Sequence, residues 1–428
     1  MALVGSAAII FSALAAIPAQ AAKPTIVVWV DAPRMPAAKL YADIIKDTVN
    51  VKVELHNSNE LVQKVSLFNK VKKGWPDVEF SDPNDIGVLK DAKDALALDS
   101  YAPASFWSDM QGGNQWCKGS DGKTYCVKND LAQDVLWVNV KLMKQFKYNV
   151  PKTMDDFAKI GADIAKNHPG YSLGALGDVI MYSSFLWPSQ CPTGQATSDT
   201  VVRIAPTSPK CTRATALVQP MIDSGVLSTQ SPDNPEFQKA YAKNDKVVMT
   251  IGPSWFGEFE IRPTSSWGVP AGEITAAPMP TWAGEKVNYS GEYGGGIWTV
   301  SPHTKYPKEA LAFAIFMDQD KRSIVDVLNP DGSHGAPTFP ASALGNALWK
   351  VKISADKYYA ADPYPAMLAQ STKIFPGEKP VSFDLQGAMA GTYANTLRDT
   401  KNAQKALEAY ATYATNLAKQ LGYTVITK

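Results

Sequence analysis

The residues best equipped to hold a small molecule are short acids and large aromatics at the ends of apolar runs. Trp29 and Asp31 close TIVVWVD, and Asp82 and Asn84 follow DVEF. Asp134 and Trp137 open DVLWVNV, Asp178 and Trp187 lie further on, and Trp255 follows a Gly-Pro turn. Tyr293, Gly295 and Trp298 fall within YSGEYGGGIWTVSP. An aspartate accepts hydrogen bonds from hydroxyls, and an asparagine accepts or donates. An indole offers a flat apolar face with few torsions to freeze. Such a set suits a solute with a hydroxyl edge and an apolar face, as a sugar has. Each residue also has an ordinary role open to it: core packing for the tryptophans, helix capping for Asp82 and Asp85, and a solvated loop for Asp178.

Catalytic patterns are weaker. GYSLG (Gly170 to Gly174) matches a nucleophile elbow, with His303 and His334 downstream. That motif needs a strand before its serine and a helix after it. Here a helix ending in NHPG precedes Ser172, and Gly174 and Gly177 follow. Two cleft carboxylates could in principle serve a glycoside hydrolase. DPNDIG resembles the start of a calcium loop, but Lys93 stands where the closing glutamate belongs. The four histidines are scattered, and no P-loop or GxGxxG is present. No cofactor and no metal are expected.

The three glycines before Ile297 pose a question of their own. Glycine loses the most backbone freedom on folding, so its use before a buried strand implies a sharp bend or a close approach. The expectation is that ligand lies against Gly295, flanked by Tyr293 and Trp298. The plainer reading is a bulge before a core strand.

The elements that must position these residues are legible in outline. A chain of 428 residues exceeds one ordinary domain. Hydrophobic content of 45% and charge of 19% fit a folded protein. The net charge is +1 with no basic stripe, which argues against a nucleic-acid partner. Residues 1–21 are uncharged and apolar, ending Ala19-Gln20-Ala21, as in a signal peptide cleaved after Ala21. No cysteine follows that site to carry a lipid anchor. TIVVWV, VKVEL and DVEF read as strands separated by two helical stretches, a β-α-β-α-β order that implies a parallel sheet. Asp134 to Met143 reads as another strand, and Thr153 caps a helix with Asp156 at its third position. Ser189 to Pro209 reads as a surface loop, Val247 to Ile251 as a buried strand, and Leu407, Tyr410, Ala414, Leu417 and Leu421 as a C-terminal helix.

All four cysteines lie beyond the leader. In WCKGSDGKTYC, Asp121-Gly122 signals a two-residue type I′ turn. That turn sets Lys118 opposite Tyr125 and Cys117 opposite Cys126, at a spacing that suits a disulfide. Cys191 and Cys211 then pair across a proline-rich loop, in keeping with an oxidising compartment.

Five stretches, in this order, resemble the extracellular solute-binding proteins of ABC importers, the sugar-binding family that includes maltose-binding protein. They are TIVVWVD, WPDVEFSDPND, DVLWVNVKLMKQFKYNVPKTMDDFAKIGADI, FQKAYAKNDKVVMTIGPSWFG and GGGIWTVSPHTKYPKEALAFAIFM. The resemblance implies two doubly wound α/β lobes joined by a hinge, as in type II periplasmic binding proteins, with ligand in the cleft. It places chain crossings near Asp134, Tyr289 and Thr338. The lobes are then 22–134 with 290–337, and 135–289 with 338–428. It further implies a periplasmic or secreted monomer that delivers a sugar to ABC permease subunits and performs no turnover. A shared scaffold does not fix the ligand, so a polyamine, a vitamin or a metal chelate is the alternative.

Overall fold

The structure is a computed structural model that describes residues 22–57, 60–110, 116–327 and 338–428. The expected signal peptide and His334 lie outside the described residues. The strands are β1 (Thr25–Val30), β2 (Asn50–Leu55), β3 (Val78–Ser81), β4 (Val127–Lys128), β5 (Asp134–Asn139), β6 (Gln195–Ser198), β7 (Val201–Arg203), β8 (Met249–Pro253), β9 (Ile274–Ala277), β10 (Ile297–Val300) and β11 (Thr424–Ile426).

The first sheet has the order β2-β1-β3-β10-β4. β1 runs parallel to β2 and β3, as the β-α-β-α-β pattern requires, and β10 runs antiparallel to β3 and β4. Successive side chains of a strand point to opposite faces. Ile26, Val28 and Val30 accordingly enter a cluster with Phe313 and Trp298, while Val27 and Trp29 join Leu61, Val65 and Ile86 on the other face. A sheet covered on both faces explains the unbroken apolar run of β1.

The second sheet, β8-β5-β9, is antiparallel about β5. Leu136 and Val138 face one core cluster, and Val135 and Trp137 face another. The strand expected over Asp134 to Met143 stops at Asn139, whose side-chain oxygen accepts from Leu142 N at 3.0 Å and starts the helix Val140–Phe146. Thr153 caps Met154–Asn167 as expected, accepting from Asp156 N at 3.1 Å. The expected loop at Ser189 to Pro209 instead contains the hairpin β6–β7, which gains the C-terminal strand β11 as a third member. Its partner lies more than two hundred residues away, so nothing local announces it.

Both expected disulfides form, Cys117–Cys126 and Cys191–Cys211. The first hairpin differs in register. Lys118 pairs with Thr124, and Gly119 N donates to Lys123 O at 2.8 Å. Gly122 has a φ of 78°, whereas Asp121 is not left-handed. A turn closed by one left-handed glycine carries an extra residue, and that slides the ladder by one.

Three segments join the halves side by side. Asp134 N donates to Gly291 O at 3.0 Å and Tyr293 N to Ala132 O at 3.2 Å. On the other edge, Leu131 N donates to Phe339 O at 2.9 Å, and Asp130 bridges Pro340. This packing answers the glycine question. A Cβ on Gly295, at φ 71°, would lie 2.6 Å from Asp130 O, and one on Gly296 would lie 1.8 Å from the Phe80 ring. What approaches the glycines is the neighbouring crossing segment and a core ring, so ligand contact at Gly295 is corrected to a backbone contact.

Phe80 has no room to yield. The Arg34 guanidinium sits 3.6 Å over its centroid, and Trp298 meets it edge-on at 5.0 Å. Gly296→Ala is therefore expected to cost roughly 1–3 kcal/mol as an overpacked core. Thermal denaturation of the ligand-free variant should show a melting point several degrees below the parent.

Candidate functional site

Tyr293, Asp178 and Trp255 form one cluster. The Tyr293 hydroxyl donates to Asp178 Oδ2 at 2.6 Å, and Trp255 Nε1 donates to Tyr293 O at 2.7 Å. The two rings meet edge-on at 5.5 Å. All three residues are half-buried, so each keeps some exposed surface. Asp178 sits at φ 56°, a left-handed conformation that aspartate tolerates better than most residues. Burial, and then the Asp178 charge, push the Tyr293 hydroxyl well up.

Asp82 and Asn84 form a second group after β3. Asp82 Oδ1 accepts from Asn84 N at 2.9 Å and from Asn84 Nδ2 at 2.7 Å. Asp85 begins the helix Asp85–Asp91. Burial is the main cause that raises both carboxyls, and the Asp384 charge adds to it. Asp384 belongs to the other half of the molecule, so the halves face each other here. They also touch: a Cβ on Gly87 would lie 2.2 Å from Val381 O, and Ser382 Oγ donates to Asp91.

Other expected site residues lie elsewhere. Trp298 is fully buried, with Nε1 donating to Asn129 Oδ1 at 2.8 Å. Trp137 is fully buried, with Nε1 bonded to Pro253 O at 3.0 Å, and Trp187 bonds Phe375 O at 2.9 Å from within the core. These three indoles are corrected to packing residues, because their faces are covered by side chains. Trp29 is also buried, stacked on His56 at 4.2 Å with Nε1 on Glu54. Asp31 is paired with Arg34 at 2.7 Å.

Asp134 is fully buried. Ser184 faces it, but neither carboxyl oxygen closes a hydrogen bond of ordinary geometry. Burial, and then the Glu292 charge, push it up to about 8. Glu292 is itself held by Lys128, 3.0 Å away and equally buried.

Sequence reasoning missed a cavity of about 490 Å³ lined by both halves. One wall carries Lys90, Trp116 and Tyr125; the other carries Ser198, Glu378 and Tyr423. The available signal was the pair of aromatics beside the cysteines in WCKGSDGKTYC. Glu378 had no signal, since only tertiary packing buries it. Burial pushes its carboxyl up to about 8, offset weakly by Gln195.

Ser172 does not form an elbow. It is fully buried, and its hydroxyl lies 2.9 Å from Val226 O and accepts from Gly174 N at 3.0 Å. Among the described residues no group of three or more His, Cys, Asp or Glu is placed to hold a metal, and no helix is long and apolar enough to cross a membrane.

Two α/β halves joined by three crossings and closed over a cleft define the type II periplasmic binding protein fold. Solved structures of that kind cover nearly the whole chain. A galacto-N-biose/lacto-N-biose I-binding protein of an ABC transporter from Bifidobacterium longum, solved with lacto-N-biose, has a TM-score of 0.77 at 16% identity, covering 94% of this chain and 99% of its own. An ABC-transporter-associated binding protein from B. animalis subsp. lactis, solved with β-1,6-galactobiose, gives 0.75 at 19%, covering 95% and 100%. The sugar-binding protein MalE from Xanthomonas citri gives 0.67 at 15%, covering 93% and 98%. At these identities the likeness is one of fold. No curated protein is similar enough in sequence to count as a relative. Residues 39–359 match the model of the bacterial extracellular solute-binding proteins, and the chain belongs to that family.

Asp134, Glu79 and Glu378 are each raised to about 8 by burial. A carboxyl raised in the folded state binds a proton that the unfolded chain releases near pH 4. Its contribution is complete below the unfolded value and is lost as pH rises towards 8. Melting points should therefore fall from pH 5 to pH 8 through these groups. Asp134→Asn, which removes the titration but keeps the shape, should narrow that gap in thermal scans.

Proposed function

We propose that this chain is the solute receptor of an ABC importer, capturing a neutral sugar or oligosaccharide between its lobes and handing it to membrane permease subunits. The proposed lobes are 22–134 with 290–337, and 135–289 with 338–428. The observation that carries the reading is the cluster of half-buried Tyr293, Asp178 and Trp255, which leaves aromatic and carboxylate surface open beside the crossing segments. The cavity lining also bears three lysines, Lys90, Lys118 and Lys379, the carboxylates Asp91 and Asp199, and Glu378, whose carboxyl burial raises to about 8. A lining with no excess of negative charge favours a neutral polyhydroxyl solute over a polyamine, because burying an unpaired cation there is costly. The bound sugars of the structural neighbours support the same class.

We place Trp255, Tyr293, Asp178, Asp82 and Asn84 at the ligand. The protein acts as an exported monomer, with its leader removed after Ala21, and returns its ligand intact.

Two experiments test this. A thermal-shift screen should raise the melting point with neutral saccharides and not with spermidine, since a ligand that binds only the native state stabilises it by mass action. Trp255→Ala should then weaken binding about tenfold or more, by analogy with anchoring aromatics, while the ligand-free melting point holds. Trp298→Ala should do the reverse, losing roughly 3–5 kcal/mol of stability as a core truncation. Normal sugar affinity in Trp255→Ala would remove that residue from the site.

A further inference from the structure

The two disulfides sit in separate parts of the chain, yet both brace the same cavity. Cys117–Cys126 closes the hairpin that supplies Trp116, Ser120 and Tyr125 to one wall. Trp116 and Tyr125 each adjoin a cysteine, so the bridge fixes the separation of the two aromatic side chains. The hairpin is further tied by Tyr125 N to Cys117 O at 2.8 Å and by the Tyr125 hydroxyl to Asp121 Oδ2 at 2.7 Å. Cys191–Cys211 closes the excursion whose β6–β7 hairpin supplies Thr197 and Ser198 to the opposite wall. There β11 pairs with β7, and the Tyr423 hydroxyl hydrogen-bonds Ser382. Glu378, buried and taking a 3.3 Å contact from Gln195 Nε2, belongs to the same wall.

Neither span is needed to complete a main sheet. The first sheet is closed by β10 and β4, and the second by β8 and β9. What both spans share is the cavity. A wall fixed before binding has less conformational freedom to lose when a ligand arrives. We propose that this cavity is a preorganised subsite for the uncharged, hydroxyl-bearing end of the solute, and that the two disulfides act as positioning devices for its walls. The inference rests on the sugar-receptor reading above and adds where specificity is set.

The test compares four proteins: the parent, Cys117→Ser with Cys126→Ser, Cys191→Ser with Cys211→Ser, and Ser198→Trp. Ser198 is exposed on the rim, so a tryptophan there fills the opening without entering a core. The probes are β-1,6-galactobiose, lacto-N-biose, spermidine and galacturonate, titrated at a temperature where every variant is folded. A neutral disaccharide should bind the parent, and each variant should bind it at least tenfold more weakly. Ser198→Trp should do so with an unchanged ligand-free melting point, which a merely structural role for the walls would not produce. Hydrogen exchange supplies a ligand-free arm. In the Cys117/Cys126 double variant, the amides of Gly119 and Tyr125 should exchange faster, while those of the helix Asp85–Asp91 should not.

Unchanged exchange in the hairpin, or parent-like affinity in Ser198→Trp, overturns the proposal. Binding of spermidine or galacturonate in place of both disaccharides overturns the sugar reading. In that case Ser198→Trp still reports whether the cavity is the site, and only the uncharged end is withdrawn. If no probe binds, the sugar reading falls and the exchange arm alone decides whether the bridge holds the wall.

Discussion

Lys128 and Glu292 meet in the buried floor between the halves, 3.0 Å apart. Lys128 ends the first sheet at β4, and Glu292 lies on the segment that returns the chain to that sheet. Two charges removed from water are costly unless their geometry and remaining bonds compensate. Here Glu292 Oε1 also accepts from Ala132 N at 3.2 Å, so one carboxylate holds both its cation and the backbone of the adjacent crossing. The pair fixes how the crossings lie against each other. With that fixed, Gly295 must pass under Asp130, Gly296 must accept the Phe80 ring, and Asp134 lies buried beside Glu292, its carboxyl raised mainly by that burial.

The same constraint orients the cleft. Tyr293 follows Glu292 directly, and its hydroxyl reaches across to Asp178 while its carbonyl holds the Trp255 indole. The aromatic cluster is thus an extension of the crossing ribbon. With Tyr293 at the ligand as proposed, movement of the halves about these segments would carry its ring along, which would couple ligand contact to closure.

The cavity lined by the two hairpins obeys a different logic. Its walls come from excursions that leave the main sheets and are closed by disulfides and by a strand from the chain's end. Rigid sheets supply the floor at the crossings, and braced excursions supply the walls at the rim. At the rim the Lys90 ammonium lies 5.6 Å from the Tyr125 ring centroid, a cation–π contact that ties the helix Asp85–Asp91 to the hairpin.

The sequence determined what depends on local pattern. The unbroken apolar run TIVVWV, the capping of Met154–Asn167 by Thr153 and the pairing of the cysteines all follow from spacing and propensity, and the structure contains them. It also carried the family, because the ordered motifs reflect one architecture. It could not say which indoles face a cleft. Trp255 and Trp298 each stand among apolar residues, yet one keeps an exposed face and the other is sealed by Phe80, Phe313 and Asn129. Neighbours from distant segments decide that difference. The glycine run shows the same limit: its types announced a close approach, and only the crossing of the halves revealed that the approaching group is the protein's own backbone and a phenylalanine. Glu378 marks the far end of the scale, a surface-type residue in FPGEKP that tertiary packing beside Gln195 turns into a buried part of the cavity lining.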